Sequence, residues 1–64
     1  MCEATAYIVN KEGAEELLLA DVDVIEPEEG GNIRLVSIYG EQKVVKADIK
    51  SMSLVNHRVV LGAR

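Results

Sequence analysis

The first three residues, Met1, Cys2 and Glu3, carry the clearest chemical signal in the chain. The α-amine of Met1, the deprotonated amide nitrogen of Cys2 and the Cys2 thiolate together can close two fused five-membered rings around a metal ion. Nitrogen and sulfur donors of this kind favour square-planar Ni(II) or tetragonal Cu(II). Zinc prefers tetrahedral sites and gains nothing from planarity. The segment therefore predicts a compact metal chelate centred on Cys2.

The residues alone leave the role of Cys2 open. The fourth coordination position could go to the amide or carboxylate of Glu3, or to a thiolate from a second subunit. A cysteine that opens a strand also suits a small buried hydrophobic position. An accessible thiol could instead form a redox-active bridge between two subunits.

The rest of the chain offers no catalytic machinery. It contains one histidine, one cysteine and three serines, with no spacing that pairs a nucleophile with a base. His57 follows Asn56, and both residue types tolerate positive φ, so we predict a turn there. We expect replacement of His57 to leave metal binding nearly intact. Because Gly30 and Gly31 precede no phosphate-binding motif, nucleotide binding is not predicted either. We expect a protein that is not an enzyme.

Charge and composition narrow the range of partners. The formal net charge is −4, and Tyr7 and Tyr39 are the only aromatic residues. An acidic chain is not expected to bind the phosphate backbone of a nucleic acid, and two tyrosines are too few aromatic rings for bases to stack on. Nucleic acid is therefore not a predicted partner. No apolar run is long enough to span a bilayer, and no export signal is visible. With one unpaired thiol, the sequence predicts a cytoplasmic protein without a membrane partner.

The first half of the chain has the two-residue periodicity of strands. A first strand is predicted from Cys2 to Val9, followed by a turn ending at Gly13. A second strand is predicted over residues 14–19 and a short third over residues 22–25, ended by Pro27. Residues 26–32 read as an acidic, glycine-rich loop. A fourth strand follows over residues 33–38.

The stretch 42–55 is longer than an ordinary strand, and its apolar residues change phase. Val45 and Ala47 lie on one face, whereas Met52 and Leu54 have the opposite phase. A β-bulge or bend near residues 50–51 would reset the faces. A tight turn at Asn56 and His57 then leads to a last strand over residues 59–61. The pattern predicts an all-β fold, a small antiparallel β-barrel or half-barrel of six to seven short strands in a single domain covering residues 1–64.

The size of the chain predicts association. A chain of 64 residues with one cysteine has no internal disulfide, and its spacing shows no zinc motif. Small domains without such cross-links often draw stability from a partner chain. The apolar content of 48% is ample for a compact core, and in the absence of cross-links we expect a homodimer.

Three segments of the sequence are similar to one family. They are residues 1–4 (MCEA), 40–45 (GEQKVV) and 49–61 (IKSMSLVNHRVVL). With these segments the chain resembles the CooT family of small nickel-binding proteins, which are accessory factors for the maturation of nickel-containing carbon monoxide dehydrogenase. The likeness extends over essentially the whole chain.

The resemblance implies a homodimer of small barrel-like subunits that binds Ni(II) through Cys2, with Met1 and Glu3 as neighbouring ligands. It implies a metallochaperone-like role, with carbon monoxide dehydrogenase or its other maturation factors as partners. The alternative function is a metal-free module that binds a protein or RNA through one face of the barrel. A third is a redox sensor that bridges Cys2 to Cys2 between subunits.

Overall fold

The computed structural model describes residues 3–64, which form five strands and one short 3₁₀ turn. The strand Cys2–Val9 predicted from sequence is observed from its third residue on, and Cys2 itself lies outside the described residues. The elements are β1 (Ala4–Val9), β2 (Glu15–Glu28), the 3₁₀ turn (Glu29–Gly31), β3 (Asn32–Ser37), β4 (Gln42–Ser53) and β5 (Arg58–Ala63).

The strands pair in chain order and the sheet closes on itself as a small barrel. Four neighbouring pairs are antiparallel, as expected. The closing pair, β1 with β5, is parallel, which the sequence did not suggest. The reason is the number of strands. When five strands alternate in direction around a closed sheet, the first and the last must point the same way.

The expected count of six to seven strands is wrong because two predicted strands are one. Strand β2 runs continuously from Glu15 to Glu28 through both predicted strands, 14–19 and 22–25, and its pairing shifts register near Asp21. Asp21 has a left-handed φ of 56°. Pro27 does not end the strand and pairs with Ile33 of β3. The loop predicted over residues 26–32 is therefore reduced to the 3₁₀ turn Glu29–Gly31.

The predicted irregularity in β4 is confirmed. Its pairing with β5 shifts register between Ile49 and Ser51, so one long strand can turn a corner of the closed sheet. β4 ends at Ser53, and the connection to β5 covers residues 54–57 instead of the two predicted residues. The left-handed conformation expected near the end of this turn is found at His57, with φ of 55°.

The interior of the closed sheet is small and entirely aliphatic apart from one serine. Leu35 and Leu61 are its largest fully buried side chains. Ser37 is also buried, and its Oγ accepts the N–H groups of Tyr39 and Glu41 at 3.2 and 3.1 Å. The buried apolar residues are Ala6, Leu19, Val22, Ile33, Leu35, Ala47, Val59 and Leu61.

The outside of the sheet is charged and partly ion-paired. Arg34 on β3 donates to the carboxylates of Glu26 and Glu28 on β2. The hydrogen bond and the charge of Glu26 raise the pKa of Arg34 above its usual value, with a smaller contribution from Glu28. Exposed pairs of this kind contribute little to stability. Within residues 3–64, the structure contains no helix of the length and hydrophobicity needed to cross a bilayer.

Candidate metal centre

The predicted ligands are concentrated at the start of β1. Met1 and Cys2 lie outside the described residues, and Glu3 is half-buried immediately before the strand. The structure therefore does not show whether these three residues come together. It does show what surrounds the point where the segment joins the barrel.

Two neighbours fix the start of β1. On one side Ala4 pairs with Val22 of β2. On the other, the Thr5 N–H donates to the carbonyl oxygen of His57 at 2.8 Å, and Thr5 pairs with Arg58 at the start of β5. Because β1 and β5 are parallel, their first residues are aligned. The turn that precedes β5 therefore lies beside Thr5 at the start of β1.

The turn over residues 54–57 is apolar on its surface and ordered by local contacts. Leu54 and Val55 expose 78% and 89% of their surface, and Met52 at the end of β4 exposes half of its own. The Asn56 N–H donates to Ser53 Oγ at 3.3 Å. We refer to Met52, Leu54 and Val55 as the apolar edge. It belongs to the region that contacts Thr5 at the start of β1 through His57.

Arg58, the first residue of β5, ties the turn to two strands. Its guanidinium pairs with the carboxylate of Glu15 on β2. The same group lies 4.4 Å from the centre of the Tyr7 ring on β1. A cation over an aromatic face is attracted by the ring quadrupole, and the ion pair keeps it there. These contacts fix the position of the backbone that follows His57.

The described residues do not form a metal site on their own. Across residues 3–64, no group of three or more His, Cys, Asp or Glu side chains could hold a metal ion. The eleven carboxylates counted in the sequence therefore give no alternative centre within the described part. A site that includes Glu3 would need donors from Met1 and Cys2 or from outside the chain.

A separate cleft of about 390 Å³ lies at the other end of β5. Its apolar lining includes Pro27, Ile33 and Ile49. At its rim Arg64 is already paired with Asp48. Since Asp48 pairs with Gly62 and not with the start of β5, the cleft is distinct from the N-terminal region. It contains none of the predicted ligands.

Comparison with known proteins assigns the family. The family model described as CO dehydrogenase accessory protein CooT matches residues 1–62. The chain belongs to the CooT family. The match covers residues 1–62, so it includes the predicted ligand segment and all five strands except Ala63, the last residue of β5. This confirms the family resemblance seen in the sequence.

A solved structure supports the same assignment. The crystal structure of a candidate CooT from Carboxydothermus hydrogenoformans is 46% identical in sequence, with 98% of each chain covered and a TM-score of 0.87. A search of curated protein sequences finds no match. The fold and the family thus agree over nearly the full length, and the CooT family is by description one of accessory proteins.

Sequence reasoning missed the contact between His57 and Thr5. The turn itself was predicted, but its neighbour was not. The parallel pairing of β1 with β5 brings this turn next to Thr5 at the start of β1. No local pattern in the sequence reports a pairing between its first and last strands.

Proposed function

We propose that this CooT-family protein binds Ni(II) through its N-terminal segment and supplies it for the maturation of nickel-containing carbon monoxide dehydrogenase. The observation that carries the proposal is the family match, which names an accessory protein of CO dehydrogenase and includes residues 1–3. The ligands would be the Met1 amine, the amide nitrogen and thiolate of Cys2, and Glu3. Nickel is then the cargo of a binding protein that catalyses no reaction itself.

The described part of the barrel supports this location in two ways. Because residues 3–64 hold no metal-binding group of their own, specific metal binding has to draw on donors beyond them. The start of β1 is also held on both sides, by Val22 and by the turn at His57. A donor segment attached to a fixed strand loses less conformational freedom on binding than one attached to a mobile chain.

We further propose that the protein is a homodimer that associates through the apolar edge. Met52, Leu54 and Val55 are at least half exposed and close together in sequence. Exposed apolar clusters on a small soluble domain often mark interaction sites. Such an interface would include the region whose turn contacts Thr5 at the start of β1, and a thiolate from the second subunit is an alternative ligand in this proposal.

Anaerobic equilibrium dialysis against Ni(II), Zn(II) and Cu(I) tests the metal. We expect stoichiometric Ni(II) uptake with a yellow charge-transfer band in the unmodified protein, and loss of that uptake in Cys2→Ala. Met52→Leu is the matched control, because it removes the sulfur of a half-exposed residue and should leave uptake unchanged. Uptake of Ni(II) by Cys2→Ala with the same stoichiometry and spectrum would show that Cys2 is not the ligand.

The alternative function is a metal-free interaction module, which the same apolar edge could also serve. It predicts no specific uptake of any of the three metals by a correctly folded protein. Because both functions expect association through the edge, metal uptake separates them, and sedimentation of the same samples shows that a protein without uptake is still folded and associated. Uptake of Zn(II) in preference to Ni(II) would also contradict the nickel proposal.

A further inference from the structure

Strand β4 is longer than either strand that pairs with it, and part of one of its edges is open. β3 pairs with residues 42–46, but the pairing with β5 begins only at Ala47. The last bond on the β5 side is donated by the Arg64 N–H to the Lys46 carbonyl oxygen at 3.1 Å. Among residues 3–64, no strand pairs with β4 on this side before Lys46. We refer to residues 42–44 as the open edge.

Two hydrogen bonds fix the direction of the backbone groups at the open edge. The Glu41 carbonyl oxygen accepts the Ser37 N–H of β3 at 2.8 Å. The Lys46 carbonyl oxygen points the other way, towards β5. Because the backbone groups of successive residues in an antiparallel strand point to opposite sides, the N–H and C=O groups of Gln42 and Val44 point away from β3. They therefore face the side on which β4 has no neighbour.

The side chains at the open edge are exposed, and the charged ones are cations. Val44 exposes 54% of its surface, and Lys43 and Lys46 are exposed as well. Within residues 3–64, neither lysine forms an ion pair. Val44 lies opposite Arg34 on the outer face, and Lys43 lies opposite the buried Leu35 on the other face. The open edge thus presents an apolar residue on one face and a cation on the other.

The opposite edge of this part of the sheet is less suited to a further strand. It belongs to the second half of β2, beyond the last pair with β1 at Val22, and it contains Pro27. Proline has no N–H to donate, so it interrupts a ladder and protects a sheet edge. Strand β4 contains no proline. Its backbone groups can therefore pair with an added strand, which is a common way for a sheet to bind a peptide.

We propose that the open edge of β4 binds an extended, acidic segment of a partner protein by strand addition. The backbone groups of Gln42 and Val44 supply the hydrogen bonds, and cross-strand pairs select the side chains of the segment. A carboxylate opposite Lys43 matches its charge, and a β-branched residue opposite Val44 covers its exposed surface. The inference goes beyond the proposed function and does not depend on nickel.

A capped octapeptide that alternates glutamate and valine is the probe. Added to the isotope-labelled protein, it should shift the NMR signals of the Gln42 and Val44 amides and slow their hydrogen exchange. The corresponding peptide of lysine and valine should bind at least about tenfold more weakly, because like charges repel across an interface. Lys43→Glu should weaken binding of the acidic peptide about fivefold. Lys50→Glu, the same change beyond the open edge of the same strand, should not.

N-methylated peptides separate strand addition from attraction between charges. Because the valines are placed opposite Val44, their N–H groups face β4, and the N–H groups of the glutamates face away. N-methylation of the valines should therefore abolish binding, whereas N-methylation of the glutamates should not. If both N-methylated peptides bind like the parent, charge alone attracts them, and strand addition is wrong.

A second result would also overturn the inference. If no peptide shifts the signals of Gln42 and Val44, the lysines serve only to protect the edge from association. Cys2→Ala should bind the acidic peptide as the unmodified protein does. A failure of nickel binding and a failure of peptide binding are therefore observed separately.

Discussion

The two ends of β1 are held by turns of opposite character. At its C-terminal end, the turn over residues 10–14 is polar, and its backbone N–H groups find hydrogen-bond acceptors within the turn. Asn10 Oδ1 accepts the N–H groups of Glu12 and Ala14 at 2.9 and 3.0 Å, and the left-handed position is Gly13. No heavy atom lies within 4 Å of where a Gly13 side chain would begin, so this turn faces open solvent.

At the N-terminal end of β1, the turn over residues 54–57 has the reverse composition. It exposes Leu54 and Val55 to solvent and has a histidine at the left-handed position. The His57 carbonyl oxygen accepts an N–H from Thr5 of β1 and not one from within the turn. The polar turn contains the residues that its backbone geometry favours. The apolar turn also has a residue that tolerates positive φ at its left-handed position, but it exposes large apolar side chains, and exposed apolar clusters of this kind often mark interaction sites.

The largest expected effect is a loss of stability from a change in the buried core of the barrel. Leu61 is fully buried and pairs with Ile8, the penultimate residue of β1. Leu61→Ala should lower the free energy of unfolding by about 2–5 kcal/mol, because it removes buried methyl groups and leaves a cavity. Leu54→Ala, the same change at an exposed site, should alter the stability of the subunit by less than about 0.5 kcal/mol. Urea denaturation at several protein concentrations measures both. Equal losses at every protein concentration would mean that Leu54 is buried within the subunit.

The next effect concerns the amine at the N-terminal end. Acetylation of Met1, or a short N-terminal extension, removes one chelate ring and leaves every side chain in place. We expect Ni(II) affinity to fall at least about tenfold, or roughly 1.4 kcal/mol. The planar, yellow, diamagnetic species should be replaced by another coordination. An acetylated protein with unchanged affinity and spectrum would place the site elsewhere, for example between two Cys2 thiolates across the dimer.

The same chelate predicts the direction of the pH dependence. The free amine and thiol titrate near about pH 8 and 8.5, and both must lose their protons before the chelate can form. Protons therefore compete with the metal at low pH, so affinity should rise steeply from acidic to mildly alkaline solution. Acetylation removes the contribution of the amine and should make the rise shallower. Competition titrations with a metal-binding dye at several pH values measure the slope.

A smaller effect tests the apolar edge. The double substitution Leu54→Lys with Val55→Lys places two charges in the proposed interface and should weaken the dimer about fivefold or more, close to 1 kcal/mol. Sedimentation at micromolar concentration measures the association. The matched control, Lys11→Glu with Glu12→Lys in the polar turn, should leave it unchanged. Unmodified protein that sediments only as a monomer would contradict the dimer itself.

The smallest effect belongs to the polar turn. Asn10→Ala removes the acceptor of two backbone N–H groups that remain accessible to water, so we expect a loss of stability of roughly 0.5–1 kcal/mol. Nickel affinity should not change, since the turn is at the far end of β1 from residues 1–3. Thermal unfolding and a Ni(II) titration of the same variant provide the two measurements. A change in affinity would mean that the two ends of β1 are coupled through the strand.

Several features could be predicted from the sequence alone. Alternating apolar residues identify the strands and the all-β class, because side chains on a strand point to opposite faces in turn. The phase change in residues 42–55 predicts the irregularity that β4 shows between Ile49 and Ser51. Asn56 and His57 predict a turn, and Gly13 predicts another. Residues 1–4, 40–45 and 49–61 carry the family likeness, which the match over residues 1–62 confirms.

The tertiary structure decided how many strands the sheet has and which of them meet. Separate strands were predicted on either side of residues 20–21, but β2 is continuous there and has an irregularity at Asp21. A β-bulge allows a strand to keep its pairing on both sides of such an irregularity. An even number of alternating strands would have closed with an antiparallel pair. Five strands close with a parallel one, which aligns Thr5 with Arg58. The odd number of strands is a property of the whole sheet, and it brings His57 next to Thr5 at the start of β1.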